Sequence, residues 1–272
     1  MVCKDHLVSG EDFEIVDYEY GILRTHPVPK DLSKYYESED YISHSDSKGS
    51  LQDKIYQFVK SYMLSKKANW IRSYFKQGNI LDIGAGTGEF LNQMQSIGWN
   101  VEGVEPNKTA RDLGSSKGLS LNDDLSNITG NKFQVISLWH VLEHLPDLEE
   151  KINQLYHLLD DNGILIVAVP NHRSYDAKYY KEQWAAWDVP RHLWHFSRNG
   201  IKDKFSKHNF ELVKEKPLLF DSYYVSLLSE KQKKSRTNIL NAFYRGWLSN
   251  FKARSTGEYS SVTYFFKKSP KT

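Results

Sequence analysis

The chain has 272 residues, enough for one large domain or one domain with additions. Hydrophobic residues make up 39% and aromatics 14%, which excludes a disordered chain, and a net charge of +2 gives no global attraction to nucleic acid. One cysteine, Cys3, excludes an internal disulfide framework; with no apolar run near the ~20 residues of a membrane span and no signal-like start, a soluble cytoplasmic protein is expected.

Residues 1–50 are polar and turn-rich, with Pro27 and Pro29 as breakers; Phe13 to Val16 and Ile22 to Thr25 read as short paired strands. A helical pattern covers about Leu51 to Phe75, with Ile55, Phe58, Val59, Tyr62 and Met63 on one face. Strands and helices then alternate. Ile80–Ile83 is a strand, Glu89–Ile97 a helix, Asn100–Glu105 a strand and Lys108–Ser116 a helix. Leu119–Leu121 and Phe133–Leu138 are strands, Leu148–Leu159 a helix and Gly163–Val169 a strand stopped by Pro170. This spacing predicts an α/β fold, a doubly wound and mostly parallel sheet with helices on both faces. Residues 171–198 interrupt it with Trp184, Trp187, Trp194 and several tyrosines and histidines. Ser197–Asn209 reads as a helix capped by Ser197, Phe210–Glu215 as a strand and Ser261–Phe266 as the last strand. Residues 218–256 read as a basic, aromatic helical insertion.

The most informative stretch is Ile80-Leu81-Asp82-Ile83-Gly84-Ala85-Gly86-Thr87-Gly88. A buried strand turns through Gly84, Gly86 and Gly88 into a helix, so bare backbone N–H groups can face a ligand. Glu105 ends the next strand about twenty residues on, where a carboxylate can accept hydrogen bonds from both hydroxyls of a ribose. A nicotinamide dinucleotide and S-adenosylmethionine both suit such a unit. Asp82 separates them: an acid beside the loop repels a pyrophosphate but attracts an ammonium and a sulfonium. A structural role for Asp82, accepting the loop's N–H groups, stays open beside this one.

With Val101-Glu102-Gly103-Val104-Glu105-Pro106 and Val135-Ile136-Ser137-Leu138-Trp139-His140-Val141-Leu142-Glu143-His144-Leu145, the chain resembles class I S-adenosylmethionine-dependent methyltransferases over about residues 50–215. The resemblance implies a seven-stranded sheet of order 3-2-1-4-5-7-6 with the last strand antiparallel. It implies that Asp82, Gly84, Ala85, Gly86 and Gly88 hold the methionine part and that Glu105 and Pro106 meet the ribose. Asp123, Asp124 and Leu125 would lie near the adenine, and Trp139 and His140 would face the methionyl end.

Methyl transfer needs alignment, exclusion of water and, for an oxygen or nitrogen acceptor, a base. His140, His144 and His192 are the catalytic candidates, because histidine titrates near neutral pH and these residues fall after the fourth strand or in the insertion above it. His195 lies in the same Pro190–Phe196 run. Plainer readings stand beside these: Glu143 and His144 could fix the turn after the fourth strand, and Arg191 and His192 could anchor the insertion. His140-x-x-Glu143-His144 also spells an inverted zinc-peptidase motif, but at a strand-to-helix junction rather than within one helix. The segment is similar to that of ubiquinone-biosynthesis O-methyltransferases, whose Glu-x-x-Glu-His binds a divalent cation; His140 replaces the first acid, so no metal is expected.

Residues 1–50 resemble an N-terminal segment of bacterial relatives that carries a zinc knuckle. Asp17-Tyr18-Glu19-Tyr20-Gly21 stands at the matching place, so no structural zinc is expected. Asp31 to Tyr36, with Tyr41, would form a lid over the cofactor or a packed aromatic cluster. In the insertion, Lys231, Lys233, Lys234, Arg236, Arg245, Lys252 and Arg254 read as a solvated face, a lure for an anionic acceptor, or a contact for RNA or an anionic membrane. Tyr223, Tyr224, Phe243, Tyr244 and Trp247 are expected to pack inside a helical pair. The expected activity is methylation of a small-molecule acceptor, at oxygen. An RNA or protein methyltransferase and a non-catalytic cofactor-binding module are the alternatives, with a nicotinamide-dependent oxidoreductase behind them.

Overall fold

The computed structural model describes residues 1–36, 51–130, 132–233 and 237–270, and of 51–56 the helical backbone. Tyr41, Lys234 and Arg236 lie outside the described residues. Three strands, β1 (Val2–Lys4), β2 (Asp12–Glu19) and β3 (Ile22–His26), precede the long helix α1 (Leu51–Arg72). The alternation follows as β4 (Asn79–Ile83), α2 (Glu89–Ser96), β5 (Asn100–Val104), α3 (Lys108–Ser115), β6 (Leu121–Asn122), β7 (Phe133–Trp139), α4 (Leu148–Leu158) and β8 (Leu159–Pro170). Then come α5 (Tyr175–Tyr180), β9 (Trp194–Phe196), α6 (Arg198–Lys207), β10 (Phe210–Pro217), α7 (Asp221–Lys233), α8 (Ile239–Thr256) and β11 (Ser261–Lys268).

The main sheet runs β6-β5-β4-β7-β8-β11-β10, with β11 antiparallel to both neighbours and the remaining pairs parallel. This is the order the resemblance implied. The central strands are largely apolar because successive side chains enter different layers, and both layers are covered. Leu81, Ile136, Leu165 and Val167 pack with Leu148, Ile152 and Leu155 of α4 and Phe205 of α6. Ile80, Val135, Ile164 and Ile166 pack with Ile71 of α1 and Phe90, Leu91 and Met94 of α2. Truncating one of these fully buried side chains to alanine costs about 2–5 kcal/mol. Ser197 caps α6 as expected, its hydroxyl accepting from the Gly200 N–H at 3.0 Å.

β6 is only two residues long and starts later than the Leu119–Leu121 reading, because Leu119 folds in against the glycine turn beside Gly88. A larger difference concerns the N-terminal segment. It forms a second sheet, β1-β2-β3-β9, whose fourth strand comes from the 171–198 insertion. Cys3, Phe13, Ile15 and Tyr35 share a core with Tyr180, Trp184 and Trp187. Tyr35 is therefore buried, its hydroxyl donating to Glu11 Oε2 at 2.5 Å. Strand pairing with a segment some 170 residues away leaves no local sequence signal.

The expectation for the helical pair is overturned. Tyr224, Phe243, Tyr244 and Trp247 are exposed, at 47%, 58%, 52% and 51%. The packed face of α8 is instead built from Ala242, Gly246, Ser249 and Ala253. A Cβ at Gly246 would stand 2.8 Å from the Tyr223 Cα, so the two helices approach too closely for large side chains between them.

Candidate functional site

The glycine turn leaves the carboxyl end of β4 at the centre of the sheet, beside the carboxyl ends of β5 and β7, where α/β sheets open a crevice. Gly84 has φ +71°, and a Cβ there would meet Val141 Cγ2 at 2.3 Å. Gly86 has φ +55° and faces open space, so bare backbone borders the crevice. The turn is held by the Gly84 and Ala85 N–H groups donating to the Val104 carbonyl at 2.7 and 3.0 Å. Glu105 secures it further: Oε2 accepts from the Gly86 N–H at 2.8 Å and Oε1 from the Asn107 N–H at 2.9 Å. Each oxygen keeps a second lone pair for a ligand hydroxyl. Pro106 follows directly, its carbonyl accepting from Arg111 Nη1 at 2.7 Å.

Asp82 does not hold the loop. Its Oδ1 accepts from the Ser137 hydroxyl at 2.6 Å, and the loop's N–H groups go to Val104 and Glu105. Burial pushes the Asp82 carboxyl up to about 7, against the Ser137 hydrogen bond and the nearby Lys67 ammonium. Lys67 itself is pulled down to about 8 by burial, against Asp82 and Asp221. Its Nζ lies 4.1 Å from the centre of the Trp139 ring, a cation–π contact. Trp139 Nε1 is buried without a hydrogen-bond partner. Lys67 was not among the sequence candidates, though a signal existed: it lies on the same stripe as Leu64, Ala68 and Ile71, the face of α1 that packs on the sheet.

The segment after β6 sits beside Glu105, whose N–H donates to the Asn122 carbonyl at 2.9 Å. Asp124 Oδ1 accepts from the Ser126 N–H at 2.8 Å and Asp123 Oδ1 from Asn127 Nδ2 at 2.7 Å, so both acids shape a turn. Leu125 is buried in the core with Ile83 and Val104.

His140 follows β7 directly in the left-handed region, φ +58°, a conformation that costs about 1–3 kcal/mol and persists where the surroundings enforce it. Both ring nitrogens are taken, Nδ1 by Glu143 Oε1 at 3.3 Å and Nε2 by Asp221 Oδ2 at 2.9 Å. Burial would lower this imidazole, but the hydrogen bonds and charges of Asp221 and Glu143 raise it to about 10. Neither nitrogen is free to face an acceptor, because each is engaged by a carboxylate. Asp221, the first residue of α7, was not singled out from the sequence; it lies 81 residues away.

His144 and His192 meet from different elements, with ring centres 4.5 Å apart. His192 Nδ1 donates to the Ala186 carbonyl at 2.9 Å, which leaves Nε2 with its lone pair when the ring is neutral. His144 Nδ1 lies 3.1 Å from both the Arg191 carbonyl and the Tyr36 hydroxyl. Burial, then the neighbouring His192, lowers His144 to about 4, so it is neutral near pH 7. Glu143 is 1% exposed, and its Oε2 has no hydrogen-bond partner. One ligand atom from each of Glu143, His144 and His192 falls within 4.8 Å of the others, a donor set able to hold a divalent cation. Arg191 anchors the insertion: Nη2 donates to Asp5 Oδ1 at 3.0 Å and Asp188 Oδ1 at 2.7 Å, and Nη1 to the Tyr35 carbonyl at 3.1 Å. His195 is structural, its Nε2 2.9 Å from Thr25 Oγ1.

A family model described as a methyltransferase domain matches residues 58–215. The chain belongs to this family. It is an S-adenosylmethionine-dependent methyltransferase, and the bare backbone at Gly86, the Glu105 carboxylate and the Asp82–Lys67 pair fit that cofactor. An uncharacterized methyltransferase of Oceanobacillus iheyensis is 24% identical over 151 residues, 50% of this chain and 70% of the relative. A ubiquinone biosynthesis O-methyltransferase of Actinobacillus pleuropneumoniae is 32% identical over 106 residues, 34% of this chain and 45% of that protein. Magnesium protoporphyrin IX methyltransferase from Synechocystis PCC 6803, crystallised with bound SAH, shares the fold with a TM-score of 0.59 at 13% identity, covering 89% of this chain and 100% of its own. No helix among the described residues is long and apolar enough to cross a membrane.

Proposed function

We propose that the protein methylates a small-molecule acceptor at oxygen, at a site formed by Glu143, His144 and His192. The observation that carries this reading is the buried Glu143 Oε2, left unpartnered beside two imidazoles that are held by backbone carbonyls. A carboxylate oxygen without a donor is costly inside a protein, and the imidazolium formed when His192 takes the acceptor's proton places a positive charge beside it. S-adenosylmethionine provides the electrophilic methyl group. The chain's own residues do the rest. Glu105 and the 84–88 turn hold the cofactor's ribose and methionine ends, and Lys67 offers a cation to its carboxylate. The adenine side is bounded by the 123–125 turn. His192 Nε2 takes the acceptor's proton, Glu143 stabilises the imidazolium that results, and Asp188 Oδ2, 3.9 Å from Nε2, supports the same charge. His140, clamped between two carboxylates, is a positioning residue that fixes Glu143. Support for oxygen as the acceptor atom comes from the ubiquinone O-methyltransferase relatives. The Tyr36 hydroxyl, 3.1 Å from His144 Nδ1, borders the same site.

The test is methyl-labelled S-adenosylmethionine incubated with purified protein and a fractionated small-metabolite extract. Label in a small product is expected; label in the RNA or protein fraction instead would overturn the reading. His192→Ala should lower kcat about 10²- to 10⁴-fold while leaving S-adenosylhomocysteine affinity unchanged. The same three ligand atoms also support a second reading, a divalent ion that orients the acceptor. Activity that falls on chelation and returns with metal would favour it.

A further inference from the structure

Helix α8 is packed the wrong way round for a soluble helix. Its small residues Ala242, Gly246, Ser249 and Ala253 are buried, whereas Leu240, Phe243, Tyr244, Trp247 and Phe251 are 85%, 58%, 52%, 51% and 54% exposed. The exposed residues recur at three- and four-residue steps and so form one stripe about 16 Å long. Their rings contact each other in series: Tyr244 stacks on Trp247 with centres 6.2 Å apart, and Trp247 on Phe251 at 5.4 Å. At half exposure, side chains of this size leave roughly 500 Å² of apolar surface, the upper range for a monomeric soluble protein. The stripe does not stop at α8. Leu219 and Phe220, both 39% exposed, continue it, and Asn250 Nδ2 ties the two segments by donating to the Leu219 carbonyl at 2.9 Å. The next residue, Asp221, holds His140, so the apolar surface reaches the rim of the site.

Charge identifies the occupant. From Lys231 to Gly257 the sequence has no Asp or Glu. Lys231, Lys233, Lys252 and Arg254 are exposed around the stripe, and Arg245 lies over Tyr179 and Tyr244 at 3.8 and 5.3 Å. A second copy of this face would set the same cations against themselves. Nucleic acid suits the cations but not Leu240 or rings already stacked on one another, which leave no slot for a base. An anionic bilayer meets both demands: headgroups for the bases, and the interfacial layer for Trp, Tyr, Phe and Leu. We propose that the α7–α8 hairpin is a docking surface for an anionic lipid bilayer, on which α8 lies flat and which brings the mouth of the site to the membrane.

The experiment is flotation of the full chain with vesicles of phosphatidylcholine alone and with one third phosphatidylglycerol. Wild-type protein should float with the anionic vesicles at least tenfold more than with neutral ones, and less in high salt. The double variant Trp247→Glu/Phe251→Glu should lose at least tenfold of that binding while binding S-adenosylhomocysteine as wild type does. Failure to float with anionic vesicles overturns the proposal, as does equal flotation of the double variant. Sedimentation showing a wild-type dimer that the double variant dissolves would assign the face to a second copy, and tight RNA binding abolished by the double variant would assign it to nucleic acid; either overturns it too.

Discussion

The two halves of the site are built from different materials. On the cofactor side, a strand, a turn and the acid ending the next strand lie within residues 80–105, and backbone amides do much of the work. On the proposed acceptor side, the groups are side chains brought together over long separations: His144 with His192, His140 with Asp221, Arg191 with Asp5. A backbone-built site tolerates little change in glycine content but asks nothing of distant segments. A side-chain-built site depends on every element that carries one of its groups. The two halves should therefore fail separately.

The largest separation is expected at Arg191. Its guanidinium is nearly fully buried against Asp5, whose side chain is also buried, so Arg191→Ala leaves the Asp5 and Asp188 carboxylates without the cation they share. A loss of about 3–5 kcal/mol in denaturant unfolding is expected. In the folded variant the S-adenosylhomocysteine dissociation constant should match wild type; a parallel loss of cofactor affinity would mean that the halves are one unit. Next in size is Glu105→Ala, which should weaken cofactor binding by about 1–3 kcal/mol in titration calorimetry. An unchanged constant would remove Glu105 from the ribose site. Lys67→Met should weaken the same equilibrium by about 1 kcal/mol, or fivefold. If it strengthens binding instead, the lysine competes with the cofactor rather than assisting it.

A further separation is a pH dependence. His140 is held protonated up to about 10 in the folded protein, against an ordinary 6.5. The folded state thus binds the proton more tightly than the unfolded one. The stabilisation is fully present below about pH 6.5 and is lost as pH rises through about 10. Melting temperatures measured between pH 6.5 and 8, below the range in which the depressed Lys67 loses its own proton, should fall with pH, and the slope should flatten in Asp221→Asn. A slope identical in the variant would detach Asp221 from His140.

Legibility followed the same division. The strand–helix alternation, the Gly84–Gly88 turn and Glu105 were readable because each rests on residues close in sequence or on strand periodicity, whereas the sheet order came only with the family resemblance. His144 and His192 were nominated singly by residue type, but their meeting needed the insertion to fold back. His140 was read as a base because its partner Asp221 lies across an entire subset of elements. Lys67 was overlooked because a lysine on an apolar stripe reads as solvent-facing until its helix is seen on the sheet. The aromatic residues of α8 were misassigned since helical spacing announces an apolar face without saying what faces it; Gly246 and its small neighbours held the answer.

One consequence follows from β9. The strand Trp194–Phe196 is zipped to β3, and Arg191 is bolted to Asp5, so His192 is gripped on both sides by the amino-terminal ribbon. That ribbon sets where the imidazole stands. Trimming it should yield a protein that still captures its nucleoside yet turns nothing over, and grafting a ribbon of different length should re-aim the imidazole and retune which acceptors are accepted.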